Sequence, residues 1–315
     1  MKFSLILESG ISLGKVVYPK FGNIVILAGG SGSGKGFVKD KLLLMDGITF
    51  DIDSLKGLIV QSDVFNELFW EYLRTEYVPK NDDLDNRAKY ILKNKIKPSE
   101  LDLKDPLDTS ILHFFTFKKD YDNRLKKNFF LNALKTDRKP NVIFDITLRD
   151  KGILDLIYEY ALLGQYNPEN IHLVWVLNDV EVAKIQNNQR DRRVQEEILV
   201  STHKGVSLTM KEIVKDFENT KTSKGTKISD IIKGDIWIVP NRSDDSIIDN
   251  NVFISFNKFR IKESGRPIKS LKDIQDERVV IMNREDFRET LRSKFVSSDL
   301  EQKIDSYVPS DTKWG

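Results

Sequence analysis

A continuous apolar, β-branched run, Asn23-Ile-Val-Ile-Leu-Ala28, passes directly into Gly29-Gly-Ser-Gly-Ser-Gly34-Lys35-Gly36. Phe37-Val-Lys-Asp-Lys-Leu-Leu-Leu44 follows with apolar residues at helical spacing. A run without polar alternation reads as a strand buried on both faces, as in parallel sheets. Strand, glycine turn and helix in immediate succession open a βαβ unit. Three further runs have the same character: Ile48–Asp51, Val142–Asp145 and Ile171–Leu177. A fifth, Ile236–Val239, stops at Pro240, which has no N–H for a ladder. Helical patterns lie between them, such as Ile153 to Leu163 before Gly164. The expectation is an α/β fold with a parallel five-stranded sheet and helices on both faces.

The chain of 315 residues is long enough for about two domains or one enlarged α/β domain. Residues 1–245 are read as the main domain, with a mostly helical insert over 61–140 that contains the acidic patch Asn81–Asp85. Residues 246–315 are read as a small α+β appendage, entered through the polar stretch RSDDSIIDNN. Cysteine is absent, which excludes disulfides, thiolate metal sites and a cysteine nucleophile. A net charge of +2 names no polyanionic partner by itself. The apolar stretches are too short to cross a bilayer, and the start is too short for a signal peptide. A soluble, cytoplasmic protein without a membrane partner is expected.

The glycine segment satisfies G-x-x-x-x-G-K. Backbone N–H groups can turn around phosphate oxygens only where side chains leave them uncovered. Gly29, Gly30, Ser31, Gly32, Ser33, Gly34, Lys35 and Gly36 are therefore the candidate phosphate cradle. Lys35 would reach the terminal phosphates, and the positive end of the following helix would add to the same anion. Gly36 stands where Ser or Thr usually binds magnesium.

Candidate carboxylates sit at strand ends, where open α/β sheets place their ligands. Asp51 and Asp53 follow the second strand. Either can accept the proton of an attacking hydroxyl, with Asp53 the first choice; Asp53 can equally cap the next helix. Asp145 ends the third strand, as a residue orienting magnesium would. Past the fourth strand, Arg190, Arg192 and Arg193 form a cluster whose guanidinium groups can clamp phosphate oxygens. The competing reading pairs Arg192 and Arg193 with Glu196 and Glu197 on a solvated helix.

The stretch AGGSGSGKG resembles the phosphate loop of nucleoside-monophosphate kinases of the adenylate-kinase type, in which Gly commonly follows the Lys. Phe37 departs from that family, which usually has Thr there. The order of loop, Asp-x-Asp, Asp-x-Thr and an Arg-rich segment ending in Thr-His is similar to that of zeta-toxin-like P-loop kinases. It is similar in particular to kinase-like proteins encoded by large tailed phages. The resemblance covers about residues 20 to 240. It implies a P-loop NTPase fold of the nucleotide-kinase type and a host-cytoplasmic ATP-dependent phosphotransferase using ATP and Mg2+. By the family pattern Lys35 contacts phosphate, Asp53 is the base, and Arg190 and Arg193 are lid arginines.

The acceptor is a hydroxyl-bearing molecule: a nucleotide, a sugar nucleotide or another small molecule. A nucleic acid is the alternative, because residues 117–139 hold eight Lys or Arg against three Asp. A non-catalytic nucleotide-binding or virion protein is the third reading. His113, His172 and His203 are too scattered for a metal site, and His203 is placed near the arginine segment.

Overall fold

The computed structural model describes residues 12–13, 16–17, 21–43, 45, 47–51, 56, 59–60, 63–118, 120–190, 193–241, 246–249, 253–271, 274–284, 287–297 and 300–314. Five parallel strands form its centre: β1 (Ile24–Ala28), β2 (Ile48–Phe50), β3 (Val142–Ile146), β4 (Ile171–Leu177) and β5 (Ile236–Pro240). They lie in the order β2-β3-β1-β4-β5. Each coincides with one of the apolar runs, because a strand covered on both faces has no place for polar residues. Ile24, Ile26, Phe144, Trp175 and Ile238 point into one core layer, and Val25, Leu27, Ile143, Val176 and Val239 into the other. Pro240 closes β5 opposite Leu177, and the Asn241 N–H takes over the pairing by donating to Leu177 O at 2.8 Å.

The sheet is mixed rather than purely parallel, and it does not end at five strands. A long strand, β7 (Phe253–Lys262), pairs antiparallel with β5 through Phe259, Arg260 and Lys262. Its earlier residues pair with β6 (Ser246–Asp249) and with β8 (Gln275–Arg284), which continues antiparallel into β9 (Phe287–Ser297). The last described residues return to the central core. Leu300 and Ile304 of α10 (Leu300–Asp305) are fully buried, and Trp314 stacks on Trp175 with ring centroids 5.6 Å apart.

Helices flank the centre on both faces. After β1 comes α1 (Lys35–Val38), continued by a π-wound turn over Lys39–Leu43. The helical insert consists of α2 (Asn66–Thr75), α3 (Asp82–Asn94), α4 (Pro106–Lys118) and α5 (Tyr121–Ala133). The first three share a core of their own, with Phe69 edge-on to Phe115 at 5.2 Å. By contrast α5 packs on the sheet, where Phe129 meets Phe50 at 5.3 Å and Phe130 stacks on Phe144 at 6.0 Å.

The acidic patch Asn81–Asp85 is a helix start. Asn81 Oδ1 accepts the Leu84 N–H at 2.9 Å, and Asp82, Asp83 and Asp85 occupy the first turn of α3, where carboxylates oppose the helix dipole. After β3 in the chain, α6 (Gly152–Leu163) packs beside α5, with Tyr160 stacked on Phe130, and ends at Gly164. Beyond β4 lie α7 (Val180–Asn188), the long α8 (Glu196–Lys215) and the short α9 (Ile228–Ile231). Among the described residues no helix is long and apolar enough to cross a membrane.

Candidate functional site

The strand order locates the site before any side chain is considered. The connection after β1 leaves towards β2, whereas those after β3 and β4 run the other way. The carboxyl end of β1 is therefore a topological switch point, where open α/β sheets form a crevice. The glycine segment fills that position.

Within the loop, Gly32 and Gly34 have φ of 75° and 85°. Gly34 also serves as the N-terminal boundary of α1, with its ψ at 23°. A left-handed conformation costs an L side chain roughly 1–2 kcal/mol. At Gly34 a side chain would also collide with the amide of Asn241, which donates to Ser33 O at 2.8 Å. Some loop amides are used internally: Ser33 N–H donates to Gly30 O at 3.1 Å, and Ser31 N–H to Thr202 Oγ1 at 2.9 Å. The amides of Gly32, Gly34 and Gly36 have no acceptor among the described residues. Gly36 is exposed, and Gly32 and Gly34 are partly so. Three uncovered N–H groups at a switch point can receive anionic oxygens.

Lys35 sits at the centre of this arrangement. Its Nζ donates to Gly29 O at 2.9 Å and Gly30 O at 3.3 Å, and lies 3.6 Å from the Asp145 carboxylate. Asp145 pairs in register with Leu27, so its side chain shares the sheet face that α1 covers. Asp51 directly follows Phe50, which pairs with Phe144, so the ends of β2 and β3 bring Asp51 and Asp145 to neighbouring positions on the carboxyl edge. Asp53 and Arg192 lie outside the described residues.

Two residues of α8, the Thr-His pair that ends the Arg-rich segment, support the loop. Thr202 Oγ1 accepts the Ser31 N–H, and His203 Nε2 lies 2.9 Å from Ser31 O. A carbonyl oxygen only accepts, so Nε2 carries the proton. Burial lowers the His203 pKa against the opposing influence of that bond, and the Lys35 charge acts in the same direction as burial. Asn178, just past β4, points its amide at Gly32 O at 3.5 Å and Gln186 Oε1 at 3.3 Å. The side-chain oxygens of Ser33 and Asn178 are buried without a hydrogen-bond partner among the described residues. Asn178 and Asn241 share a sequence signal, a short amide immediately after a buried strand. Thr202 and His203 stand out in sequence only as the Thr-His end of the Arg-rich segment, and the loop they hold is 171 and 172 residues away.

No family model matches the chain, and no curated protein matches it.

The arginine segment docks on the insert. Arg193 N–H donates to Leu103 O at 3.1 Å, and Asn187 closes the turn by donating to Val194 O at 2.9 Å and accepting from Val194 N–H at 3.1 Å. Arg193 Nε is buried without a hydrogen-bond partner among the described residues. Arg190 N–H donates to Asn187 O at 3.2 Å, ending α7. Of the expected helix pairings, Glu196 instead meets Lys184 at 2.8 Å. Leu103 O also accepts the Thr109 hydroxyl at 3.0 Å, and the preceding residue is held by the buried Asp108, which binds Arg87 through both oxygens at 2.6 and 2.7 Å and accepts the Asp102 N–H at 2.9 Å.

The basic stretch 117–139 divides between core and surface. Lys126 is buried with its Nζ over Phe144, Arg138 lies over Phe21, and Lys139 over Tyr166. Lys118, Arg124, Lys127, Lys135 and, above the exposed Phe21 ring, Arg138 remain exposed. No group of three His, Asp or Glu able to hold a metal occurs among the described residues. A groove of about 490 Å³ opens between the end of α8, residues 267–271 and Trp314, and shares no residue with the glycine loop.

Proposed function

We propose that the chain is a P-loop phosphotransferase that binds a nucleoside triphosphate, ATP in the first instance, at Gly29–Gly36 and passes its γ-phosphoryl group to a hydroxyl acceptor. The observation that carries the reading is the set of uncovered amides at Gly32, Gly34 and Gly36 beside the Lys35 ammonium. Phosphate oxygens are the ligand such a set receives best. Lys35 would exchange its carbonyl contacts for β- and γ-phosphate oxygens, charge-assisted bonds roughly twice as strong as neutral ones.

In the transfer, a bond forms between the acceptor oxygen and Pγ as the Pγ–O bond to the leaving diphosphate breaks. The hydroxyl proton passes to a carboxylate at the end of β2, Asp53 or Asp51. Arg190 and Arg193 are the candidates for neutralising charge on the transferring group, and the unpartnered Arg193 Nε is the donor with spare capacity.

The residues fit magnesium only as an ion held largely by the phosphates. Gly36 offers no hydroxyl, while Asp145 offers one carboxylate beside Lys35. One or two carboxylates plus phosphate oxygens suffice for this ion. Bound there, it would neutralise charge between the β- and γ-phosphates.

The test is label transfer from γ-labelled ATP onto nucleosides, sugar nucleotides, DNA, RNA and bacterial extract, with Lys35→Ala as control. Labelling of one acceptor class that Lys35→Ala abolishes is the expected result. ATP binding without transfer to any of them leaves a nucleotide-binding protein, and no ATP binding removes the reading.

A further inference from the structure

The two backbone groups of Ser31 are held by consecutive residues of one helix, Thr202 and His203 of α8. Thr202 donates its hydroxyl proton to Leu199 O at 2.7 Å, which leaves its oxygen to accept the Ser31 N–H. His203 is 5% exposed, and its ring fills the hollow beside Gly30, where any Cβ would collide with it. Val206, Tyr307 and Val308 line the same small cavity as the ring and Gly30.

The consequence follows from peptide geometry. Ser31 C=O and Gly32 N–H belong to one planar trans peptide, so they point in opposite directions. A carbonyl directed at His203 therefore directs the Gly32 N–H away from α8. Gly32, with φ of 75°, lacks the side chain that would resist a flip of this peptide. A flip would replace an amide donor with a carbonyl oxygen facing the bound anion.

We propose that His203 is a positioning residue whose Nε2–H fixes the Ser31–Gly32 peptide so that the Gly32 amide serves as an anion donor. The inference rests on the triphosphate reading of the loop. It assigns to the Thr-His pair of α8 a role in phosphate affinity, distinct from any contact with the acceptor.

The test titrates magnesium with a non-hydrolysable ATP analogue, and separately inorganic triphosphate, into the wild type, His203→Phe and His203→Gln. Phenylalanine keeps the ring and removes the donor, whereas glutamine restores an N–H at similar reach. Loss of a charge-assisted anion contact predicts about tenfold or weaker binding of both ligands by His203→Phe. His203→Gln should recover most of it. Equal binding by His203→Phe and wild type overturns the proposal, as does a folded His203→Gln that binds no better than His203→Phe. Imidazole 15N spectra of the wild type give a check that needs no variant: the Nε2–H tautomer is expected, and the Nδ1–H tautomer overturns the proposal. Wild-type protein that binds neither ligand overturns the triphosphate reading and this inference together, whereas binding indifferent to residue 203 overturns this inference alone.

Discussion

The Lys35 ammonium lies 3.6 Å from the Asp145 carboxylate while donating to the carbonyls of Gly29 and Gly30 at 2.9 and 3.3 Å. Both side chains are largely shielded, at 13% and 19% exposure. The pair is thus a prearranged cation and carboxylate at the carboxyl edge of β1 and β3. Under the proposed function the two residues separate by phenotype. Lys35→Ala should weaken triphosphate binding by tenfold or more with or without magnesium, since a charge-assisted contact is worth about 1.5–3 kcal/mol. Asp145→Asn should bind triphosphate nearly normally in EDTA and lose the added affinity that magnesium gives the wild type. Calorimetric titration with and without the metal checks both.

Gly34 and Gly36 differ by two residues and should differ sharply in tolerance. Gly34 has φ of 85°, and a side chain there collides with Asn241. Gly34→Ala should cost about 2 kcal/mol or more in urea unfolding, from the left-handed backbone and the displaced Asn241 bond to Ser33 O. Gly36 is exposed, helical and has open space where a Cβ would go. Gly36→Ser should keep or slightly raise stability, serine being the better helix former by a few tenths of a kcal/mol. It also places a hydroxyl next to Lys35, so magnesium-dependent triphosphate affinity should rise. An unchanged magnesium dependence in a folded Gly36→Ser would remove that residue from any account of metal placement.

Much of the framework was legible because burial leaves a local trace. The five central strands are apolar on both faces, and the glycine segment announces its own backbone requirement. The acidic patch Asn81–Asp85 stands out only as charge, and its part as the cap and first turn of α3 shows in the fold. Pairing was not legible in the same way. That Phe259 and Arg260 add antiparallel to β5 depends on which edge is vacant, a property of the assembled sheet. Residues 246–315 read as an appendage because the linker-like RSDDSIIDNN introduces them, and the burial of Leu300, Ile304 and Trp314 in the central core leaves no such local trace. The loop supports were only half legible for a related reason: the Thr-His pair is visible as the end of the Arg-rich segment, but its partner, Ser31, is fixed only by the fold. The docking of Arg193 N–H on Leu103 O joins two segments that sequence treats separately.

Acid should destabilise the chain well above the carboxylate range. Burial pushes His172 from 6.5 down to about 4, and lowers His203 in the same direction. His172 Nδ1 accepts the Asp235 N–H at 3.0 Å, a bond that protonation at Nδ1 would break. The unfolded chain protonates these rings near pH 6.5 while the folded chain keeps them neutral. The unfolded state then binds more protons, so stability is fully present above about pH 7 and declines as pH falls towards 4. His172 alone predicts a loss of about 2 kcal/mol between pH 7 and pH 5. Urea unfolding at the two pH values measures it, and His172→Asn should flatten that part of the profile even if it lowers stability throughout.

Trp314 tests how firmly the returning segment belongs to the core. Its ring stacks on Trp175 at 5.6 Å and an interplanar angle of 15°, and its Nε1–H donates to Ser207 Oγ at 3.3 Å. The backbone N–H of Trp314 is also held, by Asp305 Oδ1 at 2.5 Å. Beside it Lys204 pairs with Asp311 at 2.6 Å, an exposed contact that adds little. Truncating a buried aromatic costs about 3–5 kcal/mol, whereas an exposed apolar side chain costs within about 0.5 kcal/mol. Trp314→Ala should therefore lower unfolding stability by at least about 3 kcal/mol, with Leu208→Ala, 47% exposed on α8 beside Ser207, as the neutral control. If the segment were merely laid on the surface, Trp314→Ala would behave like Leu208→Ala. Because Trp175 pairs with Ala28 on β1 and Ser207 shares α8 with Thr202 and His203, Trp314→Ala should under the proposed function also weaken triphosphate binding, so that its loss of stability is larger at saturating triphosphate than without it.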